Sequence, residues 1–204
     1  MGLWAIVPVK PLRRGKSRLA SVLSEDERAL LNFTMLSNTL RTLRDVEEIE
    51  QILVVSRDPA ALSLAREFNA RTVQEDGQPE LNTALQRATV VAQMYAAQEI
   101  LILPADLPLL SVSDVRRILQ YAKNPPVVVI SPDRRNDGTN ALYMNPGGII
   151  EYRYGPGSFH QHVEQARIKG VRVEICQLST LSLDLDLPED LDLLKQIEAM
   201  QIEP

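Results

Sequence analysis

Three aspartates are the residues of this 204-residue chain whose surroundings most clearly point to chemistry. Asp106 sits in Leu103-Pro104-Ala105-Asp106-Leu107-Pro108, directly after an apolar run, where Asp is unfavourable within a strand and the flanking prolines fix a loop. Such a residue either satisfies local turn amides or offers oxygen to a hard cation. Asp184 and Asp186 lie in Leu181-Ser182-Leu183-Asp184-Leu185-Asp186-Leu187, whose strict alternation predicts a strand. The leucines would share one face, and Ser182, Asp184 and Asp186 the other. Two carboxylates roughly 7 Å apart at Cα on one face can approach a common ion. Asp186 also reads as the N-cap of a helix opened by Pro188, with Glu189 and Asp190 as an acidic first turn. Capping leaves Asp184 unexplained, which favours the ion.

A second kind of chemistry is concentrated near the start. Residues 1–24 hold Lys10, Arg13, Arg14, Lys16 and Arg18 and no acid, whereas the other 180 residues hold 17 cations against 27 acids. A basic loop on an acidic body suits a small polyanion and opposes extended nucleic acid, which needs a broad basic face. Gly15-Lys16-Ser17 invites comparison with a P-loop, but the position where that motif needs its first glycine is Lys10. No Gly-x-Gly-x-x-Gly fingerprint is present either. What remains is a run of cations and loop amides able to clamp a triphosphate, with arginine able to do so bidentately.

These residues need elements to hold them. Strands are expected at Leu3–Val9, Gln51–Val55, Arg71–Gln74, Glu99–Leu103, Val127–Ile130, Asn140–Met144 and Val171–Ile175, besides the alternating 181–187 segment. Helices are expected from a Ser24/Glu27 capping box to about Leu43, from Pro59 to Phe68, over 80–97, from Ser111 or Ser113 to Ala122, over Ser158–Lys169, and from Pro188 to about Met200. Strands alternating with helices predict one α/β domain over residues 1–204, with a mostly parallel sheet. In such sheets ligands bind beyond the carboxyl ends of the strands. Lys10 to Arg18, Asp106 and the Asp184/Asp186 pair all fall there.

Asp137-Gly138-Thr139-Asn140 and Gly155-Pro156-Gly157-Ser158 are polar turns. Ser158 is expected to cap the following helix, whose N-terminus is a natural anion site. His160 and His162 read as helix-face residues rather than catalysts. Together with Ile6-Val7-Pro8-Val9-Lys10-Pro11, Gly15-Lys16-Ser17-Arg18-Leu19, Ala105-Asp106-Leu107-Pro108, Asn140-Ala141-Leu142 and Leu183-Asp184-Leu185-Asp186, these turns make nearly the whole chain resemble the guanylyltransferase family of coenzyme F-420 biosynthesis.

That resemblance implies a three-layer αβα, Rossmann-like nucleotidyltransferase fold of the glycosyltransferase-A-like kind. It implies transfer of GMP from GTP to phosphoenolpyruvate, with 2-phospho-L-lactate or 3-phosphoglycerate as alternative acceptors. Asp106, Asp184 and Asp186 match the Mg²⁺-binding acids of such enzymes. Thr139, Gly155 and Ser158 match positions that hold the acceptor's phosphate or carboxylate. Lys10, Arg14, Gly15, Lys16, Ser17 and Arg18 fall in the nucleotide-binding loop, with Lys16 beside Asp106 in the catalytic set.

Other classes fare worse. One cysteine and two histidines build no zinc or iron–sulfur site. The apolar runs, such as Val127–Ile130, are far below the ~20 residues that span a bilayer. The N-terminal apolar stretch ends at Lys10 with no cleavage pattern, so a cytoplasmic enzyme is expected. A non-catalytic nucleotide sensor would not need three retained acids. A homodimer is compatible with the sequence.

Overall fold

The computed structural model describes residues 2–77 and 80–202. Its central strand, Leu3–Val9 (β1), is apolar on both sides. Leu3, Ala5 and Val7 enter one core, while Trp4 and Ile6 enter the other. A strand covered on both faces is what a parallel sheet between two helical layers requires. Ile49–Ser56 (β2) and Glu99–Ile102 (β4) pair with β1 in parallel, and Arg71–Gln74 (β3) pairs in parallel with β2.

The other half of the sheet begins with a hairpin. Val127–Pro132 (β5) and Thr139–Asn145 (β6) pair antiparallel, and β6 also runs antiparallel to β4. Arg172–Ile175 (β7) completes the sheet, parallel to β5. The order is β3-β2-β1-β4-β6-β5-β7. The chain therefore builds outward from β1 in one direction and returns to its other side with β4. The crevice between the carboxyl ends of β1 and β4 is the topological switch point, where open α/β sheets bind ligands. Because β6 is reversed, it brings its start, Thr139 and Asn140, to that same edge.

Glu25–Arg44 (α1), Pro59–Glu67 (α2) and Val112–Tyr121 (α4) cover one face; Leu81–Met94 (α3) and Ser158–Ile168 (α5) cover the other. The capping boxes form as the side chains require, Ser24 with Glu27 and Ser111 with Asp114. Ser158 does not cap α5. Gly157 holds that position at φ 70°, a left-handed conformation suited to glycine, and Ser158 is the first helical residue.

The 181–187 segment is not a strand. Ser179–Ser182 (α6) forms a helical turn, after which the chain runs irregularly into Pro188–Ile202 (α7). The Asp186 N–H reaches back to the Asp184 carbonyl at 3.2 Å, a turn that no extended strand makes. The alternation has another cause. Leu183 and Leu185 bury themselves with Leu19, Met35 and Leu194 in a small third core beneath the first loop. Nor is Asp186 the cap of α7. Its own N–H and that of Leu187 donate to Asp190 Oδ2 at 3.0 and 2.7 Å, and Arg134 pairs with Asp190 Oδ1 at 2.6 Å.

Asp190 is thus a buried acid holding two amides and a guanidinium at once. Asp190→Ala orphans all three, and a loss of roughly 2–4 kcal/mol is expected. Urea unfolding of the variant against the parent chain measures it.

Candidate active site

Two loops meet at the switch point. In the first, the Arg14 and Gly15 amides close on the Pro11 carbonyl at 3.0 and 2.8 Å, and the Leu12 amide donates to Asp58 Oδ2 at 2.7 Å. A Cβ on Gly15 would lie 2.7 Å from Asn32 Nδ2, so any larger residue would push aside the amide that holds the Leu12 carbonyl. Lys16 follows in the left-handed conformation, φ 57°, which is strained for a side chain that is neither Gly nor Asn. The result turns the lysine inward. Its Nζ donates to Asp106 Oδ2 at 3.1 Å and to Asp186 Oδ1 at 2.7 Å, with the side chain almost wholly buried.

The second loop is joined to the aspartate segment through its backbone. Leu185 N–H donates to the Asp106 carbonyl at 3.0 Å. Asp106 is thereby held beside the segment that carries Asp184 and Asp186, about 80 residues on, with Lys16 bridging Asp106 and Asp186. Asp184 pairs with no cation among the described residues. Its side chain accepts a long bond from Asn140 Nδ2, at 3.5 Å, an amide whose stronger bond goes to the Leu181 carbonyl at 2.8 Å.

The titration of these groups follows from that arrangement. Burial, and then the charge of Asp106, push the Asp184 carboxyl above its ordinary range. Burial also acts to raise Asp186, but the charge and hydrogen bond of Lys16, helped by Lys10 and Arg18, outweigh it and leave the carboxyl lowered. Burial opposes the charge on Lys16, and the two carboxylates more than offset it, so the ammonium is held above its usual value. Asp106 and Asp186 share one ammonium, while Asp184 meets the repulsion of their charges. Oxygen donors with surplus negative charge fit a hard divalent cation. As the side chains stand, no three His, Cys, Asp or Glu among the described residues form a ready-made cage. Lys16 lies between two of the three.

A cleft of about 440 Å³ opens from this cluster. Its lining joins Lys10, Gly15, Lys16, Asp106 and Asp186 with Val55, Arg57, Glu75, Glu80, Ala84 and Tyr154. A largely apolar lining with a few charged groups suits a ligand that carries both a flat ring and charge. Not every cation of the first loop faces this cleft. Arg14 lines a neighbouring hollow with Leu30 and Phe33, and Arg13 pairs with Glu25 and Asp26 on the surface. Ser17 and Arg18 are exposed at the start of a short 3-10 turn, Ser17–Leu19. Arg18 reaches Asp186 only through its field.

The predicted acceptor residues come together on the other side of Asp184. Ser158 Oγ donates to Thr139 Oγ1 at 3.3 Å, and Asn140, next to Thr139, touches Asp184. Gly155, at φ 131°, has open space where a Cβ would stand, leaving its backbone approachable. Asp137 ties the two turns by accepting the Gly157 amide at 3.1 Å, while its own carbonyl accepts from Phe159 N–H.

His162 is not a surface residue of α5. It is fully buried between the turns, with Nδ1 at 3.0 Å from Thr139 Oγ1 and Nε2 accepting the Arg153 N–H at 3.0 Å. Burial pulls its imidazole down to about 4. Tyr154 packs edge-on against the ring at 5.1 Å between centroids.

The same architecture occurs in solved structures. A nucleotidyl transferase from Methanothermobacter superposes with a TM-score of 0.76 over 98% of this chain and 99% of its own, at 19% identity. A 4-diphosphocytidyl-2C-methyl-D-erythritol synthase does so with a TM-score of 0.65 over 97% of this chain and 98% of its own, at 16% identity. Sequence relatives are nearer. A phosphoenolpyruvate guanylyltransferase from Rubrobacter xylanophilus is 42% identical over 100% of this chain and 98% of its own. A 2-phospho-L-lactate guanylyltransferase from Methanocaldococcus jannaschii is 35% identical over 91% of this chain and 79% of its own. Residues 3–196 match the family described as "Guanylyl transferase CofC like". With its nucleotidyltransferase fold and its acids and lysine gathered at the switch point, the chain belongs to the CofC-like guanylyl transferase family.

Proposed function

We propose that this protein transfers GMP from GTP to phosphoenolpyruvate, releasing pyrophosphate and forming enolpyruvyl-diphospho-guanosine. The observation that carries the choice of acceptor is the 42% identity, end to end, with the Rubrobacter phosphoenolpyruvate guanylyltransferase. The Methanocaldococcus relative, at 35%, makes 2-phospho-L-lactate the second reading. In either case an oxygen of the acceptor phosphate attacks the α-phosphorus, and the bond from that phosphorus to the bridging β-oxygen breaks.

The residues present suit that reaction. The cleft takes GTP with its base toward Glu75, Glu80 and Tyr154 and its phosphates toward Lys10 and Lys16. Asp106, Asp184 and Asp186 would hold Mg²⁺, which when bound would neutralise charge between the two anionic substrates. Lys16 is placed to follow phosphate charge as it builds, because its ammonium lies at the junction of both loops. Thr139, Ser158 and the Gly155 backbone hold the acceptor. No protein nucleophile takes part, so the catalytic contribution is positioning and charge compensation. GTP and a small phosphorylated acid as substrates accord with a cytoplasmic place of work. Among the described residues, no helix is long and apolar enough to cross a membrane.

Incubating the protein with GTP and Mg²⁺ and each of phosphoenolpyruvate, 2-phospho-L-lactate and 3-phosphoglycerate tests the proposal. Pyrophosphate release with the guanylylated phosphoenolpyruvate product is expected. Turnover confined to another acid would reassign the acceptor, and none with any acid would remove the reading.

Asp184→Asn separates the metal role from a structural one. A carboxyl raised by folding is destabilising when ionised, fully so above its folded value, and the burden lifts as pH falls through that value. In metal-free buffer the variant should therefore melt above the parent at pH 7, with the gain vanishing by about pH 4, near the unfolded carboxyl's own value. Its activity should fall by ~10²–10³-fold. A thermal melt series against pH, beside initial rates, decides it; a destabilised variant at neutral pH would show Asp184 to be a structural residue.

The two substrates should respond to different residues. Thr139→Val keeps shape and deletes a hydroxyl worth roughly 1.5–3 kcal/mol to a charged oxygen, so kcat/KM for the acid should drop about 10- to 100-fold with little change in KM for GTP. Lys10 is exposed at the cleft mouth, and Lys10→Ala should instead weaken GTP, more so at low salt. A two-substrate kinetic grid reads both variants.

A further inference from the structure

Behind the acceptor hydroxyls lies an imidazole that the transfer chemistry itself does not use. His162 Nε2 stands 3.0 Å from the Arg153 amide nitrogen, a group that can only donate. Nε2 is therefore the bare nitrogen, and in a neutral imidazole the hydrogen is then on Nδ1. That N–H points at Thr139 Oγ1, 3.0 Å away, while Ser158 Oγ–H donates to the same oxygen. Both lone pairs of the threonine oxygen are filled from inside the protein. Its own hydrogen is the one left over.

We infer that His162 is a positioning residue for the acceptor: by fixing its tautomer through the Arg153 amide and donating to Thr139 Oγ1, it compels the Thr139 hydroxyl to present a hydrogen to an incoming oxyanion. The inference rests on the reading of Thr139 as an acceptor-binding residue. An unconstrained hydroxyl can turn its hydrogen toward the protein and present lone pairs, which repel a phosphate or carboxylate. The His162 bonds remove that orientation before the substrate arrives, so the alignment does not have to be found on binding. Burial of the ring supports the arrangement by keeping it neutral, since a second N–H would face the Arg153 N–H. Tyr154, packed edge-on against the imidazole, fixes the plane of the ring.

The test is a thermodynamic cycle on the full chain with GTP, Mg²⁺ and phosphoenolpyruvate. His162→Phe keeps the ring against Tyr154 and removes both hydrogen bonds; His162→Asn puts an amide N–H near the place of Nδ1–H. His162→Phe should lose about 10- to 100-fold in kcat/KM for the acid, with KM for GTP within about twofold. His162→Asn should recover part of that loss. The double variant His162→Phe/Thr139→Val should be no worse than Thr139→Val alone, because the histidine acts through the threonine. Additive losses, equal losses for both substrates, or a fully active His162→Phe would overturn the inference. If His162→Phe fails to fold, judged by circular dichroism, the same cycle runs with His162→Asn, whose loss must again vanish in the Thr139→Val background. A parent protein inactive with every acid would refute the proposed function itself, whereas an active parent with an indifferent His162 refutes only this inference.

Discussion

One buried ammonium holds the loops at the switch point together. Lys16 Nζ bridges Asp106 and Asp186, and with it the first loop, the loop after β4 and the segment before α7 become one object. Apart from the short 3-10 turn at Ser17–Leu19, neither loop has regular structure of its own. Without a cation between them, three carboxylates would meet in a half-buried place and repel one another. The strained backbone of Lys16 belongs to the same requirement, because the left-handed turn aims the side chain inward, away from solvent. Local strain is tolerated where the surroundings over-determine it, and here two ion pairs and a glycine packed on Asn32 do so.

The site inherits its layout from the sheet. The parallel half, β1 to β4, supplies the crevice at the switch point, while the reversed strand β6 delivers Thr139 and Asn140 to the same edge. In the proposed reaction the two substrates would meet the two halves of a single sheet, with Asp184 at their boundary through Asn140. Each half is anchored by side-chain bonds to backbone amides: Asp58 to Leu12 on one side, His162 to Arg153 and Asp137 to Gly157 on the other.

Much of this was legible before any coordinates. The central strands are continuous apolar runs, as strands buried on both faces must be, and the capping boxes at Ser24 and Ser111 mark their helices directly. The alternation of 181–187 was legible as burial and misleading as structure. Leucines at every second position fit a strand, yet here they fill a small core under the first loop, with no neighbouring strand to pair. Asp186 looked like a helix cap because it precedes Pro188; Asp190 performs that service from inside the first turn, a reversal that spacing cannot reveal. Arg14 belonged to a cationic run, but run membership does not fix direction, and its side chain turns to the adjoining hollow. His162 was hidden for a similar reason. Its partners come from Thr139 and Arg153, on separate segments, and helical periodicity carries no trace of them.

The ends of the sheet have a consequence of another kind. Both outermost strands, β3 and β7, are four residues long and carry charge: Arg71 on one, Arg172 and Glu174 on the other. An outer strand offers unpaired amides and carbonyls to any similar rim it meets, and long apolar rims invite stacking into fibres. Here the rims are too short and too charged to template such growth. The long apolar strands of the molecule lie inside, flanked on either side by pairing partners, so a crowded solution of this protein keeps its most aggregation-prone segments out of reach.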